Sequence, residues 1–134
     1  MSDLGQQRHR ARERALEILY EADIKQRPVD EILAALPLAP DHYTALLVLS
    51  AQNHKVEAES LISEFSNDWS IERIALVDRI IMTLAIGELL LDDAPPRAVV
   101  LDEAVELAKT FSTDGSPSFV NGVLSSCVER LAQK

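Results

Sequence analysis

Apolar residues recur at steps of three and four along nearly the whole chain, and no segment sustains an alternation of two. That spacing lines one face of a helix and gives a strand no buried side. Prolines at 28, 37, 40, 95, 96 and 117 punctuate the pattern. Each lacks an N–H and biases the residue before it away from helical geometry. Helices are predicted over residues 7–26, 29–36, 41–65, 71–91, 100–111 and 116–132. The first carries Ala11, Ala15, Ile18, Leu19 and Ala22 on one face. The third carries Tyr43, Leu47, Ser50, His54, Ala58, Leu61 and Phe65, and its polar middle leaves room for a kink or an exposed stretch. Ser70 is placed to cap the fourth segment, with Trp69 as the apolar staple residue before it. That segment is the most apolar and reads as the centre of the core, although Gly87 inside it costs about 1 kcal/mol relative to alanine. Ser116 and Pro117 open the last helix as cap and first-turn proline. The class is all-α, a compact helical bundle, with five or six helices read from periodicity alone.

The 134 residues fit one domain, 1–134, with enough chain to bury a core without staples. Only 4% of residues are aromatic, so Ala, Leu, Ile and Val must fill that core. Cys127 is the one cysteine, which excludes an internal disulfide and reads as a small buried apolar residue. The first residues lack the apolar run of a signal peptide, and Asp78, Arg79 and Glu88 interrupt the longest apolar stretch. A cytoplasmic protein without a membrane span is expected.

Charge is distributed unevenly. The net charge is −9, yet residues 1–14 hold Arg8, Arg10, Arg12 and Arg14 against only Asp3 and Glu13. A basic N-terminal arm, about residues 1–12, on an acidic body suggests two surfaces with different partners. Arginine attracts phosphate, while the acidic body suits a basic protein. Positive residues at a helix N-terminus oppose the macrodipole, so four arginines there call for a reason other than helix stability. A frayed start would free Arg8, His9 and Arg10 to wrap RNA. The alternative is an ordinary solvated helix start.

Catalytic patterns are missing. His9, His42 and His54 are scattered, without HExxH or Cys/His spacing, and Gly5, Gly87, Gly115 and Gly122 form no phosphate loop. Asp102 and Glu103 are adjacent and diverge on a helix, so they do not form a carboxylate pair. Glu106 and Lys109 read as a surface ion pair. The expectation is a binding protein and not an enzyme, with no cofactor and no metal.

Three blocks carry a family likeness. They are RHRARERALEILY at 8–20, the stretch 69–90 with Asp78-Arg79-Ile80-Ile81 inside it, and the run from Pro96 through DEAVELAK at 102–109 to FVNGVL at 119–124. In order and spacing the chain resembles the NusB family of bacterial transcription antitermination factors. The likeness spans essentially the whole chain, more loosely over 27–66. It implies a bundle of six or seven helices in two three-helix halves. It implies binding of the boxA RNA of ribosomal RNA leaders together with NusE, a small-subunit ribosomal protein, within the RNA polymerase antitermination complex. It leaves monomer and homodimer both open. By position, Arg8, His9, Arg10, Arg12, Tyr20 and Phe119 map to the RNA-binding residues, and Glu88 to the NusE-facing acid. The alternative for Tyr20 and Phe119 is core packing, and for Glu88 a plain solvated carboxylate. Three positions depart from the family pattern. His9 stands where arginine is common, Gly87 where an aromatic residue precedes the glutamate, and Gly115 where an acid is frequent. Asp78-Arg79, Ser116, Pro117, Asn121 and Gly122 read as fold, cap and turn devices. NusB-like domains also precede RNA cytosine methyltransferase domains, but no cofactor loop or catalytic cysteine motif is present here. A pure protein-interaction bundle without RNA binding is the remaining rival.

Overall fold

The structure is a computed structural model describing residues 3–67 and 70–133. Seven α-helices follow in chain order: α1 (Asp3–Lys25), α2 (Val29–Ala35), α3 (His42–Asn53), α4 (Lys55–Phe65), α5 (Leu76–Leu89), α6 (Arg97–Phe111) and α7 (Ser116–Ala132). A 3₁₀ turn, Ile71–Arg73, precedes α5. No strand occurs among the described residues, and no helix among them is long and apolar enough to cross a membrane.

Local chemistry explains most of the boundaries. From Asp3 onward the arm is helical and not frayed: α1 begins the described residues at Asp3, whose carboxylate suits the positive end of the helix dipole. It closes in a Schellman arrangement. Gln26 takes φ 54°, its N–H donates to the Asp23 carbonyl, and the Arg27 N–H reaches back to the Ala22 carbonyl at 3.0 Å. Asp41 caps α3 by accepting from the Thr44 N–H at 3.0 Å. The polar middle of the long third segment is a true break. His54 leaves helical geometry at φ −107°, ψ 15°, half-exposed and 3.5 Å from Glu57, and α4 starts afresh at Lys55. The expected Ser70 cap does not form. Ile74 and Ala75 are extended, which drives Ile74 into the core and delays α5 to Leu76. Trp69 lies outside the described residues. Ser116 turns its hydroxyl away from a cap role and donates to Asp78 at 2.9 Å, while Ser112 donates to the same carboxylate at 2.6 Å. Asp78, almost fully buried, thereby pins the start of α5 to the α6–α7 junction.

Helices α1, α2 and α3 pack on one another as one trio, and α5, α6 and α7 as the other. The seventh helix, α4, created by the break at His54, lies against α5 and α7. The Arg130 guanidinium ties it to α7, sitting 5.0 Å from the Phe65 ring centroid and 2.5 Å from a Glu64 carboxylate oxygen. Helix α5 also packs against α1 and α3, and every residue from 80 to 88 is buried. That is the central helix the apolar pattern implies.

Cys127 is fully buried on α7. Burial first, then the field of Glu64, pushes its thiol up to about 11. Thiolate is the reactive form. Alkylation of the folded protein at pH 8 is therefore expected to run roughly a hundredfold slower than in denaturant, from thiolate fraction alone. Equal rates with and without denaturant, followed by mass spectrometry, would contradict this placement.

Candidate nucleic-acid interface

On a continuous α1, residues four apart share a face. Arg8 and Arg12 therefore turn one way, towards α3, α5 and α6, while Arg10 and Arg14 turn another. The inward pair defines a network. Arg12 is 3% exposed. Its Nε donates to Glu88 Oε1 at 2.8 Å, its Nη2 to Glu88 Oε2 at 2.7 Å, and its Nη1 to Glu103 Oε1 at 2.7 Å. Tyr43, on the first turn of α3, donates its hydroxyl to Glu88 Oε2 at 2.5 Å. Its ring carries the Arg8 guanidinium 4.7 Å from the centroid. His9 stands between two acids, with Nδ1 3.3 Å from Glu103 and Nε2 3.6 Å from Glu13. Helices α1, α3, α5 and α6 thus meet around one fixed guanidinium.

The electrostatics keep each group in one role. Burial works to lower the Arg12 pKa, but the hydrogen bonds to Glu88 and the charges of Glu88 and Glu103 outweigh it and hold it above the ordinary value. Burial also raises the Tyr43 phenol far above its usual range, reinforced by the hydrogen bond to Glu88, so it remains a neutral donor. Among the described residues no buried side-chain nitrogen or oxygen lacks a hydrogen-bond partner. That is the condition under which a buried charge pair is tolerated.

The outward pair has a different setting. Arg10 is exposed and Arg14 is exposed apart from a loose contact, 3.7 Å, with Glu17. With Gln7 and Ala11 they line a shallow groove whose opposite wall is Asp41 and Thr44. Tyr20, 41% exposed, lies twelve residues along the same helix from Arg8, or about 18 Å. Phe119 is half-buried against the core, in a separate depression lined with Arg73, Ile74, Thr113 and Gly115.

Two sequence expectations look different in this geometry. Arg12, expected at the RNA, and Glu88, expected at the NusE-facing surface, meet each other across 76 positions of sequence. Glu88 is 1% exposed, and both its oxygens accept internal hydrogen bonds. Neither side chain has a free face in this conformation. Sequence reasoning missed Tyr43 and Glu103 as members of the same network. One signal was available: Glu88 follows Ile81, Leu84 and Ala85 on an otherwise apolar face, a placement that demands a buried counter-charge. Gly87 is also explained. A β-carbon there would stand 2.9 Å from the Ala51 Cα and N, so glycine lets α5 cross α3 at backbone distance. The crossing is closed by the Ser50 hydroxyl, which donates to the Gly87 carbonyl at 2.7 Å.

A model of the NusB family matches residues 9–129. The chain belongs to the NusB family. Among curated relatives, the transcription antitermination protein NusB of Thermobifida fusca is 39% identical over 127 residues, covering 92% of this chain and 89% of the relative. Among solved structures, T. maritima NusB superposes with a TM-score of 0.79 at 29% identity, covering 95% of this chain and 91% of that one. A crystal structure of antitermination factors NusB and NusE in complex with dsRNA matches with a TM-score of 0.77 at 27% identity, covering 92% of this chain and 96% of that one. The family's arrangement therefore extends to both trios and to the central α5.

Proposed function

We propose that this chain is a transcription antitermination factor. It binds the boxA element of ribosomal RNA leaders together with NusE, the small-subunit ribosomal protein, and so joins the RNA polymerase antitermination complex in the cytoplasm. The role is recognition and not catalysis. The RNA-facing edge is the N-terminal half of α1, with Arg8, His9, Arg10 and Arg14 as direct contacts, Tyr20 as an aromatic contact further along α1, and Phe119 as a second one in its separate depression at the start of α7. Arg12 and Glu88 support that edge from beneath it. The observation that carries this reading is a rigid arginine edge, with Arg10 and Arg14 turned to solvent, on a chain of net charge −9. Guanidinium groups fixed on a helix offer phosphates a preset spacing. The solved NusB–NusE–RNA complex with the same fold supports the choice of partners.

Fluorescence anisotropy with a boxA RNA oligonucleotide tests it. About three phosphate contacts to single-stranded RNA predict a slope near −2 for log affinity against log salt. The charge-reversed variant Arg10→Glu/Arg14→Glu is expected to bind at least roughly tenfold more weakly. Added NusE is expected to tighten binding. A flat salt response, or an unchanged affinity in the charge-reversed variant, would leave the pure protein-interaction bundle as the better description.

A further inference from the structure

We propose that Tyr43 is a positioning residue for RNA recognition: its ring is the platform that presents Arg8, and its hydroxyl is the tether that fixes the ring. This rests on the reading of the N-terminal half of α1 as the RNA-facing edge.

Arg8 is half-buried, with its guanidinium 4.7 Å from the centroid of the Tyr43 ring. That distance lies well within the range of a cation–π contact. The ring cannot turn freely, because its hydroxyl donates to Glu88 Oε2 at 2.5 Å. Glu88 is itself immobilised by two hydrogen bonds from Arg12. An unbroken line of contacts therefore runs from Glu88 in the last turn of α5, through Tyr43 of α3, to Arg8 on α1. Two consequences follow for Arg8. First, a phenol that donates to a carboxylate carries a more electron-rich ring, which strengthens its hold on a cation lying over its face. Second, the guanidinium loses side-chain freedom in the folded protein before any ligand arrives. A flexible arginine would lose that freedom on binding and weaken the complex. Guanidinium N–H groups that do not meet the ring stay available to donate to a phosphate.

A double-mutant cycle with boxA RNA as the probe separates this role from a merely structural one. Tyr43→Leu is expected to weaken RNA binding about fivefold, the size of one exposed-to-partly-buried cation–π contact. The same substitution in an Arg8→Ala background should change affinity by less than about twofold, because Tyr43 acts through Arg8. Tyr43→Phe keeps the platform but releases the ring from Glu88, so it should weaken binding about twofold, less than Tyr43→Leu; an affinity equal to that of the unmodified protein overturns the tether. An equal loss from Tyr43→Leu in both backgrounds, no loss at all, or a loss from Tyr43→Phe as large as from Tyr43→Leu overturns the proposal. Should Tyr43→Leu unfold, the unmodified protein still decides. The Arg8 side-chain protons are expected upfield of random-coil positions from the ring current, and unshifted resonances overturn the platform. If Arg8→Ala and the Arg10→Glu/Arg14→Glu variant both bind RNA normally, the RNA-facing edge itself is lost. If they weaken binding while Tyr43→Leu does not, the edge stands and only the role of Tyr43 falls.

Discussion

Glu88→Leu is expected to lower folding stability by about 3–5 kcal/mol, the usual consequence of leaving one member of a buried ion pair without its partner. Arg12 would keep its charge, since arginine does not deprotonate in proteins. It would retain Glu103 as a partner, on a carboxylate whose side chain is 20% exposed. For a chain of this length the loss corresponds to a fall in Tm of roughly 10–20 °C. The informative companion is Arg12→Met/Glu88→Leu, in which both charges are replaced by apolar groups. Buried pairs of this kind are often replaceable together where they are not replaceable singly. The double variant is therefore expected to be more stable than Glu88→Leu alone, by urea denaturation. Additive losses would mean that packing volume, and not an orphaned charge, sets the stability here. The RNA-facing edge should suffer in either case, because Tyr43 loses its tether along with Glu88.

Gly87→Ala is expected to destabilise by about 1–3 kcal/mol, the range for forcing atoms into a filled core. Its sign is the point. Glycine to alanine inside a helix ordinarily gains up to about 1 kcal/mol. At Gly87 the new β-carbon would meet backbone atoms of Ala51 and Ser50 at 2.9–3.2 Å, and backbone yields only if α3 moves. Gly122, an exposed residue within α7, provides the opposite case, because nothing lies within 4 Å of its would-be β-carbon. Gly122→Ala should stabilise. Paired denaturation curves shifting in the same direction would sink the explanation based on the α3–α5 crossing.

These two sites mark the limit of what could be read from residue order. The helices, the central position of the segment around Ile80–Leu84 and the burial of Cys127 follow from spacing, because an apolar face must be covered and spacing shows where that face lies. Glu106 and Lys109 pair at 3.2 Å as their separation implies. The break at His54 was visible only as a polar interruption. Whether such a stripe bends or stays straight depends on what packs beneath it, and here α4 is needed against α5 and α7. Arg12 was expected at the RNA because the family likeness maps it there, whereas in this fold its side chain is buried on Glu88 and Glu103. The helix divides the arginines: a 100° turn per residue sends Arg12 inward and Arg10 outward. Glu88 lies 76 residues away from Arg12, a distance at which no local rule operates. From residue order Gly87 is a local helix cost and a departure from the family pattern, whereas in the fold it lets two helix backbones come close.

Helix α5 serves both trios at once, bordering α1 and α3 of the first on one side and α6 and α7 of its own on the other. The molecule consequently has no modularity: neither trio closes an interior of its own once that shared helix is taken away. A signal passed between an RNA held on α1 and a protein held elsewhere meets a close-packed interior, with α5 and the direct α1–α6 link from Arg12 to Glu103 as its routes. Cooperation between two such ligands is then best served by direct contact of one with the other across the surface, the scaffold acting as a rigid ruler between them.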